Sequence, residues 1–158
     1  MSTVSMKYGT NNQAITCTLT SLGNGSSRQS TAVDNTTNLF LDALVFLKIK
    51  SASSGPASGS YATVYAYGTA DGGTTYTDGA SGTDGSITLT NPPNMKPIGV
   101  INMVATSTTY EAGPFSIAAA FGGILPDHWG IVVTNNTGGS FDASIGSAWY
   151  QGVQATVA

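Results

Sequence analysis

The amino-acid sequence predicts an all-β protein, an antiparallel eight-stranded sandwich with jelly-roll-like topology; an immunoglobulin-like sandwich is the alternative. Two observations predict this class. β-branched and aromatic residues recur with a period of two along the chain, whereas helical periodicity is nearly absent. Between the alternating stretches lie short segments rich in Gly, Pro, Asn and Asp, the residues that form tight turns.

Residues 39–50 (LFLDALVFLKIK) carry the strongest strand signal. Every odd position from Leu39 to Ile49 is apolar, while Asp42, Lys48 and Lys50 occupy even positions. Since successive side chains of a strand point to opposite faces, this pattern indicates a long strand with one face in the core. Seven further segments are predicted strands on similar grounds: residues 13–20, 61–69, 86–90, 98–106, 115–121, 129–135 and 148–157.

The intervening segments have the composition of loops. Residues 51–60 (SASSGPASGS) are predicted to form a flexible connection between two strands. Residues 71–85 contain Asp-Gly three times, a pair that favours tight turns because glycine accepts positive φ. Three prolines in residues 91–97 place that segment outside a central strand, because proline cannot donate to a ladder.

A chain of 158 residues has the size of one domain. We expect residues 13–158 to form a single β-sandwich domain, and residues 1–12 to form a flexible N-terminal arm that orders on contact with a neighbouring molecule. Residues 21–38 are polar, with Leu22, Ala32 and Val33 as their apolar members. We therefore expect this segment to run over the surface or over a neighbouring subunit.

Charged side chains are scarce in this sequence. Only 13 of the 158 residues are Asp, Glu, Lys or Arg, about 8%, whereas soluble domains typically carry ~25%. Ser and Thr together supply 40 residues, so the surface must consist largely of hydroxyls, amides and backbone. Few charges give weak protection against self-association, which suits a protein that lies against identical neighbours or a larger shell.

The composition also argues against several classes of function. The five basic residues form no cluster, which excludes nucleic-acid binding through counterion release. The longest apolar run, residues 43–47, is far shorter than the ~20 residues of a membrane helix. Residues 1–8 lack the apolar segment of a signal peptide, and the single Cys17 excludes an internal disulfide. We expect synthesis in a cytoplasm, with no nucleic-acid or membrane partner.

Candidate catalytic and metal-binding residues are few. Asp71, Asp78 and Asp84 are seven and six residues apart, which matches no EF-hand loop, and each precedes a glycine in a predicted turn. His128 follows Asp127, and this pair is predicted to form a polar corner before a strand rather than part of a catalytic triad. We therefore expect no catalytic residue, no metal and no cofactor, and a protein that is not an enzyme.

Five aromatic residues are the candidates for a protein interface: Tyr61, Tyr65, Tyr67, Trp149 and Tyr150. The three tyrosines lie at odd positions and share one face of a predicted strand. Exposed aromatic rings anchor protein interfaces or stack on sugar rings, whereas buried ones fill the core of a sandwich. The sequence leaves these three roles open.

Two parts of the sequence carry motifs of a known family. Residues 67–78 (YGTADGGTTYTD) resemble a turn segment of small virion structural proteins of tailed bacteriophages, with Thr69 in place of their usual serine. Residues 121–139 (FGGILPDHWGIVVTNNTGG) and 148–153 (AWYQGV) resemble their C-terminal part, which is the more specific match. Together these stretches cover about a quarter of the chain.

The resemblance implies a β-sandwich in a virus particle. The expected function is that of a non-enzymatic capsid decoration (cement) protein, which binds and stabilises the assembled head. The implied partners are the major capsid protein or other virion proteins and further copies of this chain, with a homotrimer favoured by lattice symmetry. The implied location is the virion, and the host cytoplasm during assembly. A glycan-binding adhesion module of a tail or fibre is the alternative, because jelly rolls are common lectin scaffolds.

Overall fold

The computed structural model describes residues 3–157, which form two antiparallel sheets packed face to face and confirm the predicted all-β sandwich. Its helical segments are α1 (Ile117–Ala120) and a 3-10 turn at Thr77–Gly79. In the part of the chain that the structure describes, no helix has the length and hydropathy needed to cross a membrane. The strands are β1 (Val4–Tyr8), β2 (Gln13–Ile15), β3 (Ser27–Gln29), β4 (Val33–Asp34), β5 (Asp42–Ser51), β6 (Tyr61–Thr69), β7 (Gly85–Ile87), β8 (Lys96–Asn102), β9 (Thr109–Ser116), β10 (His128–Asn136) and β11 (Phe141–Val157).

The order of the strands is that of a jelly roll. Sheet A has the order β1-β11-β5-β9, with β2 also paired to β11, and sheet B has the order β7-β3-β10-β6-β8, with β4 also paired to β10. β1 and β2 therefore share one strand position, and β3 and β4 share another. Counted by position, sheet A takes the first, eighth, third and sixth strands, and sheet B takes the second, seventh, fourth and fifth. Two split positions and the added edge strand β7 raise the predicted eight strands to eleven in residues 3–157.

The core lies between the two sheets. The odd-numbered residues of β5 from Ala43 to Ile49 are fully buried, as the alternation predicts. Trp129 of sheet B and Tyr150 of sheet A meet edge to face, with 5.2 Å between their ring centroids. This is a favourable arrangement of two aromatic rings, and it joins the two sheets.

A second, smaller apolar cluster lies on the outer face of sheet B. The long connection between β6 and β8 folds over part of this face, so that Ala80 and Met95 are buried against Tyr67 and Val132. β1, by contrast, projects at the edge of sheet A, and all five of its residues are exposed. The outer faces of the two sheets therefore differ in how much of them the chain itself covers.

Several predicted strand bounds differ from the structure. The strand predicted at residues 115–121 ends at Ser116, where α1 begins. The Ser116 hydroxyl accepts a hydrogen bond from the Ala119 N–H (3.1 Å), and the Asp42 carboxylate accepts one from the Ala118 N–H (2.8 Å). The strand predicted at residues 39–50 starts at Asp42, because Leu39 adopts a left-handed φ of 51°. Of residues 13–20, Gln13–Ile15 form strand.

The polar segment of residues 21–38 is more structured than expected, because it contains β3 and β4. Gln29, Ser30 and Asn35 are buried there. Each is hydrogen-bonded: Gln29 to the side chain of Ser81, Ser30 to the backbone carbonyl of Thr31, and Asn35 to the backbone of Phe40. These bonds remove the main cost of burying a polar group.

The N-terminal segment forms a ribbon with the end of the chain. Residues 1 and 2 of the predicted arm lie outside the described residues. β1 pairs with residues 153–157 of β11. The idea that residues 1–12 order only on contact with a neighbour stays a prediction.

Candidate functional site

A groove of about 710 Å³ runs over the outer face of sheet B. Its floor consists of side chains that point outward from two paired strands, Tyr61, Thr63 and Tyr65 of β6 with Thr134 and Asn136 of β10. Its wall is the segment that includes β7 and continues to Pro93. We call this feature the sheet B groove.

The lining of the sheet B groove carries no Asp, Glu, Lys, Arg or His. The polar groups are hydroxyls and side-chain amides, which act both as donors and as acceptors. The hydroxyls of Ser27 and Thr134 lie 2.7 Å apart and hydrogen-bond to each other across β3 and β10. The apolar part of the lining is supplied by Ile87, Leu89 and Pro93 together with the tyrosine rings.

Asp78 anchors the wall of the groove. Its carboxylate accepts hydrogen bonds from the Thr90 hydroxyl (3.0 Å) and from the backbone N–H groups of Asn94 (2.8 Å) and Met95 (3.2 Å). Desolvation acts to raise the pKa of Asp78, but these hydrogen bonds and above all the one from the Asn94 side-chain amide (2.7 Å) outweigh it and leave the pKa below its usual value. Asp78 itself has a left-handed φ of 53°, in the 3-10 turn that ends at Gly79.

The other two residues of the Asp-rich segment also anchor loops. Asp71 accepts hydrogen bonds from the Thr69 hydroxyl and from the N–H groups of Thr74 and Thr75. Asp84 accepts hydrogen bonds from Nε of Arg28 (2.7 Å) and from the Thr18 backbone N–H (3.1 Å). The hydrogen bond from Arg28 is the main reason why the pKa of Asp84 is lowered to about 2. Within residues 3–157, no three His, Cys, Asp or Glu side chains are close enough together to hold a metal ion.

The five predicted interface residues do not form one surface. Tyr61 and Tyr65 line the sheet B groove, and Tyr61 is 40% exposed. Tyr67 shares their face of β6 but is fully buried, because the connection between β6 and β8 covers it. Tyr150 is buried in the core between the sheets. Trp149 lies on the outer face of sheet A, half-buried and stacked on Phe46 with 6.1 Å between ring centroids.

The outer face of sheet A carries an exposed apolar surface that the sequence interpretation missed. Val4, Met6 and Tyr8 are 70%, 73% and 56% exposed, and Val157, opposite Val4, is 68% exposed. These residues share a face with Trp149, because Trp149 and Val157 are an even number of residues apart on β11. We call Val4, Met6, Tyr8, Val157 and the Phe46–Trp149 stack the apolar strip. The alternation of residues 4–8 (VSMKY) was the signal in the sequence.

His128 and Asp127 form the polar corner at the start of β10. His128 Nδ1 lies 3.5 Å from an Asp127 carboxylate oxygen, and His128 Nε2 lies 3.8 Å from one of Asp34. Asp127 also accepts a hydrogen bond from the Gly72 N–H at 3.2 Å. The corner therefore fastens the loop after β6 to the strand that contains His128.

The segments that carry the phage resemblance pack against each other. Gly68 lies beside Phe121 and Pro126, and Tyr67 lies over Gly130. No family model, curated protein or solved structure matches this chain. The resemblance to phage virion proteins therefore stays a prediction.

Proposed function

We propose that this chain is a non-enzymatic structural protein of a virus particle, a capsid decoration protein that binds and stabilises the assembled head. The observation that carries the proposal is the apolar strip on sheet A. Trp149 and Val157 are eight residues apart on one strand, so the strip is about 26 Å long. Single exposed apolar residues are ordinary on a protein surface, but several of them on one face of two paired strands are typical of a protein interface.

The exposure of β1 at the edge of sheet A supports binding to a neighbour through this strip. β1 is an edge strand that pairs only with β11 among the described strands, and its ribbon presents Val4, Met6 and Tyr8 to solvent. Burial of a valine or methionine side chain contributes about 1.5–3 kcal/mol, so a few of these residues are enough to drive association. Binding to the assembled head in preference to free subunits would stabilise the shell by mass action.

The contact is tested by the change of one apolar residue of β1 to a charged one. Met6→Asp places a charge on the apolar strip, whereas Ser5→Asp, the matched control, places the same charge on the opposite face of the same strand. In sedimentation velocity we expect a trimer or another homo-oligomer for the unchanged chain and for Ser5→Asp, and monomers for Met6→Asp. A monomer at every concentration, or equal oligomers for both variants, would contradict the self-association.

The location in the particle is tested separately. Antibodies against the chain are applied to tailed-phage particles from the same source and observed by electron microscopy. Many evenly spaced labels on the head support decoration, and a few labels at the tail tip support adhesion. Unlabelled particles would contradict a virion protein of either kind.

A second candidate function is favoured by the sheet B groove. A glycan-binding module requires accessible aromatic rings beside hydroxyl and amide groups, and the groove supplies the exposed Tyr61, the partly buried Tyr65 and Asn136 in one place. The two proposed functions use opposite faces of the sandwich. A decoration protein that also binds a glycan on its outward face is therefore compatible with this fold.

A further inference from the structure

We propose that the sheet B groove binds a short uncharged oligosaccharide, which lies along β6 across the rings of Tyr61 and Tyr65. This inference rests on the second candidate function and assigns to it a site and a class of ligand. It does not depend on the apolar strip.

The charge of the lining sets the class of ligand. All 15 residues that line the groove are uncharged, and most of their polar atoms belong to Ser, Thr, Asn and Tyr side chains or to the backbone. Phosphate and carboxylate groups are usually bound by Arg or Lys, and divalent cations by carboxylates. Neither kind of partner is present, so the groove fits a neutral ligand with many hydroxyl groups.

The spacing of the tyrosines sets the length of the ligand. Tyr61 and Tyr65 are four residues apart on the same face of β6, which separates their Cα atoms by about 13 Å. Sugar rings present C–H groups on one face and hydroxyls at their edges, so an aromatic ring binds the face while polar groups bind the edge. Two rings at this spacing are too far apart for one monosaccharide and suit a chain of several sugars.

Polar side chains lie between and beside the two rings. Thr63 is between them on β6, Thr134 is opposite Thr63 on β10, and Asn136 is opposite Tyr61. Among the hydrogen bonds of residues 3–157, none uses the side chains of Thr63 or Asn136, so these groups are available to a ligand. Hydroxyls and amides match sugar hydroxyls because both partners can donate and accept.

The sheet geometry favours a sugar over a peptide. A peptide that binds by strand addition needs a free sheet edge, whose backbone groups hold it. The floor strands have no free edge, because β6 is paired on both sides by β10 and β8, and β10 is paired on both sides by β6 and β3. The floor therefore offers side chains and not backbone, which suits a sugar. β7 in the wall is an edge strand, and the peptide comparison below tests strand addition to it.

The wall of the groove is held in place before any ligand arrives. Asp78 fixes residues 90–95 through its hydrogen bonds, and Met95 is buried in the cluster around Tyr67. A preformed site spends less of its binding free energy on ordering loops. Binding is therefore expected to leave the backbone of the wall unchanged.

The test is a titration with neutral hexasaccharides. Cellohexaose, maltohexaose and chitohexaose are added separately to the full chain and followed by two-dimensional NMR, after a screen on a printed array of neutral glycans. A heparin hexasaccharide is the charged comparison, and a Ser/Thr/Gly peptide is the peptide comparison. We expect saturable shifts with at least one neutral glycan, located at residues 61–65 and 134–136, and none with heparin.

Matched variants locate the site. Tyr61→Ala is expected to weaken binding by about tenfold or more, and Asn136→Ala by several-fold, while Ile124→Ala, which removes an exposed side chain outside both the groove and the apolar strip, leaves affinity unchanged. Thermal unfolding of each variant establishes that it is folded. If Tyr61→Ala is not folded, Asn136→Ala decides whether the groove is the binding site.

The outcomes of this test distinguish a failure of the proposed site from a failure of the proposed glycan-binding function. Glycan binding that survives in both groove variants would overturn the site and leave the glycan-binding function standing. No binding of any neutral glycan in the array and the titrations would overturn both. Tight binding of the peptide or of heparin in the groove, without a neutral glycan, would overturn the assigned class of ligand.

Discussion

The ring of Tyr67 lies directly over the backbone of Gly130, its partner across β6 and β10. The ring is fully buried, and its hydroxyl donates a hydrogen bond to the backbone carbonyl of Ser30 at 2.7 Å. A Cβ atom at position 130 would overlap the ring. The absence of a side chain at Gly130 therefore allows Tyr67 to join β3, β6 and β10 on the outer face of sheet B.

Gly130→Ala is expected to lower the free energy of unfolding by about 1–3 kcal/mol, because the added methyl group forces the buried ring of Tyr67 to move. Urea denaturation measures the change. Gly85→Ala is the matched control, since a Cβ there meets no atom closer than 3.7 Å and Gly85 also lies in a strand of sheet B. Equal stabilities for the two variants would show that the ring and the glycine are not in tight contact.

Asp84 is expected to make the stability of the protein depend on pH. Its pKa of about 2 in the folded protein lies below the ordinary value, so its contribution is fully present above about pH 5 and is lost as the pH falls towards 2. Asp84→Asn removes this contribution, which we expect to cost about 1–2 kcal/mol at pH 7. Unfolding measured at intervals between pH 7 and pH 2 should show a smaller loss of stability for Asp84→Asn than for the unchanged chain.

The control for Asp84 is Glu111→Gln, which removes a carboxylate that pairs with Lys48 at 2.8 Å on the surface. An exposed ion pair of this kind contributes little, so Glu111→Gln should unfold as the unchanged chain does at pH 7. If Asp84→Asn retained the full pH dependence of the unchanged chain, the pairing with Arg28 would not be the source of the effect.

Cys17 is expected to be unreactive in the folded protein. Burial raises the pKa of its thiol to about 12, and the side chain is almost completely enclosed. A thiol reagent at pH 8 should therefore react at least about a hundredfold more slowly with the native chain than with the chain in urea. Comparable rates in both conditions would place Cys17 at the surface.

Asn135 is expected to be more important for stability than its neighbour Asn136. The buried Asn135 amide donates to the backbone carbonyls of Leu22 (2.8 Å) and Gly139 (2.9 Å), and its oxygen accepts from the Thr137 hydroxyl (2.7 Å). Asn135→Ala leaves these partners unpaired and should cost about 3 kcal/mol in urea denaturation, whereas Asn136→Ala should change stability by less than about 0.5 kcal/mol. Similar costs for the two variants would contradict this assignment.

The strands that could be predicted from the sequence are those with one face in the core and the other face outside it. Residues 43–49 alternate because the odd side chains of β5 are buried, whereas Leu39 and Leu41, which continue the same pattern before the strand, are exposed. β3 and β4 were not predicted, because Gln29 and Ser30 are buried as hydrogen-bonded polar residues and have no apolar pattern. α1 was not predicted either, since four residues are too few for a helical period.

The candidate site was predictable only in part. Alternation placed Tyr61, Tyr65 and Tyr67 on one face, and the structure has them there. Which of the three is covered depends on the path of residues 70–95 over sheet B, held by Asp78 and by the burial of Met95. Contacts between residues so far apart in sequence leave no periodic signal, so the sequence could not indicate the groove.

The position of β11 also determines when the protein can fold. This final strand lies between β5 on one side and β1 and β2 on the other, so sheet A has no continuous hydrogen-bonded path from β1 to β5 without it. During synthesis, the backbone groups of β5 that pair with β11 would lack their partners until residues 141–157 were available. Folding is therefore expected to wait until residues 141–157 have been synthesised and to be slow, about milliseconds to seconds, because the pairing of distant strands carries a large loop-closure entropy.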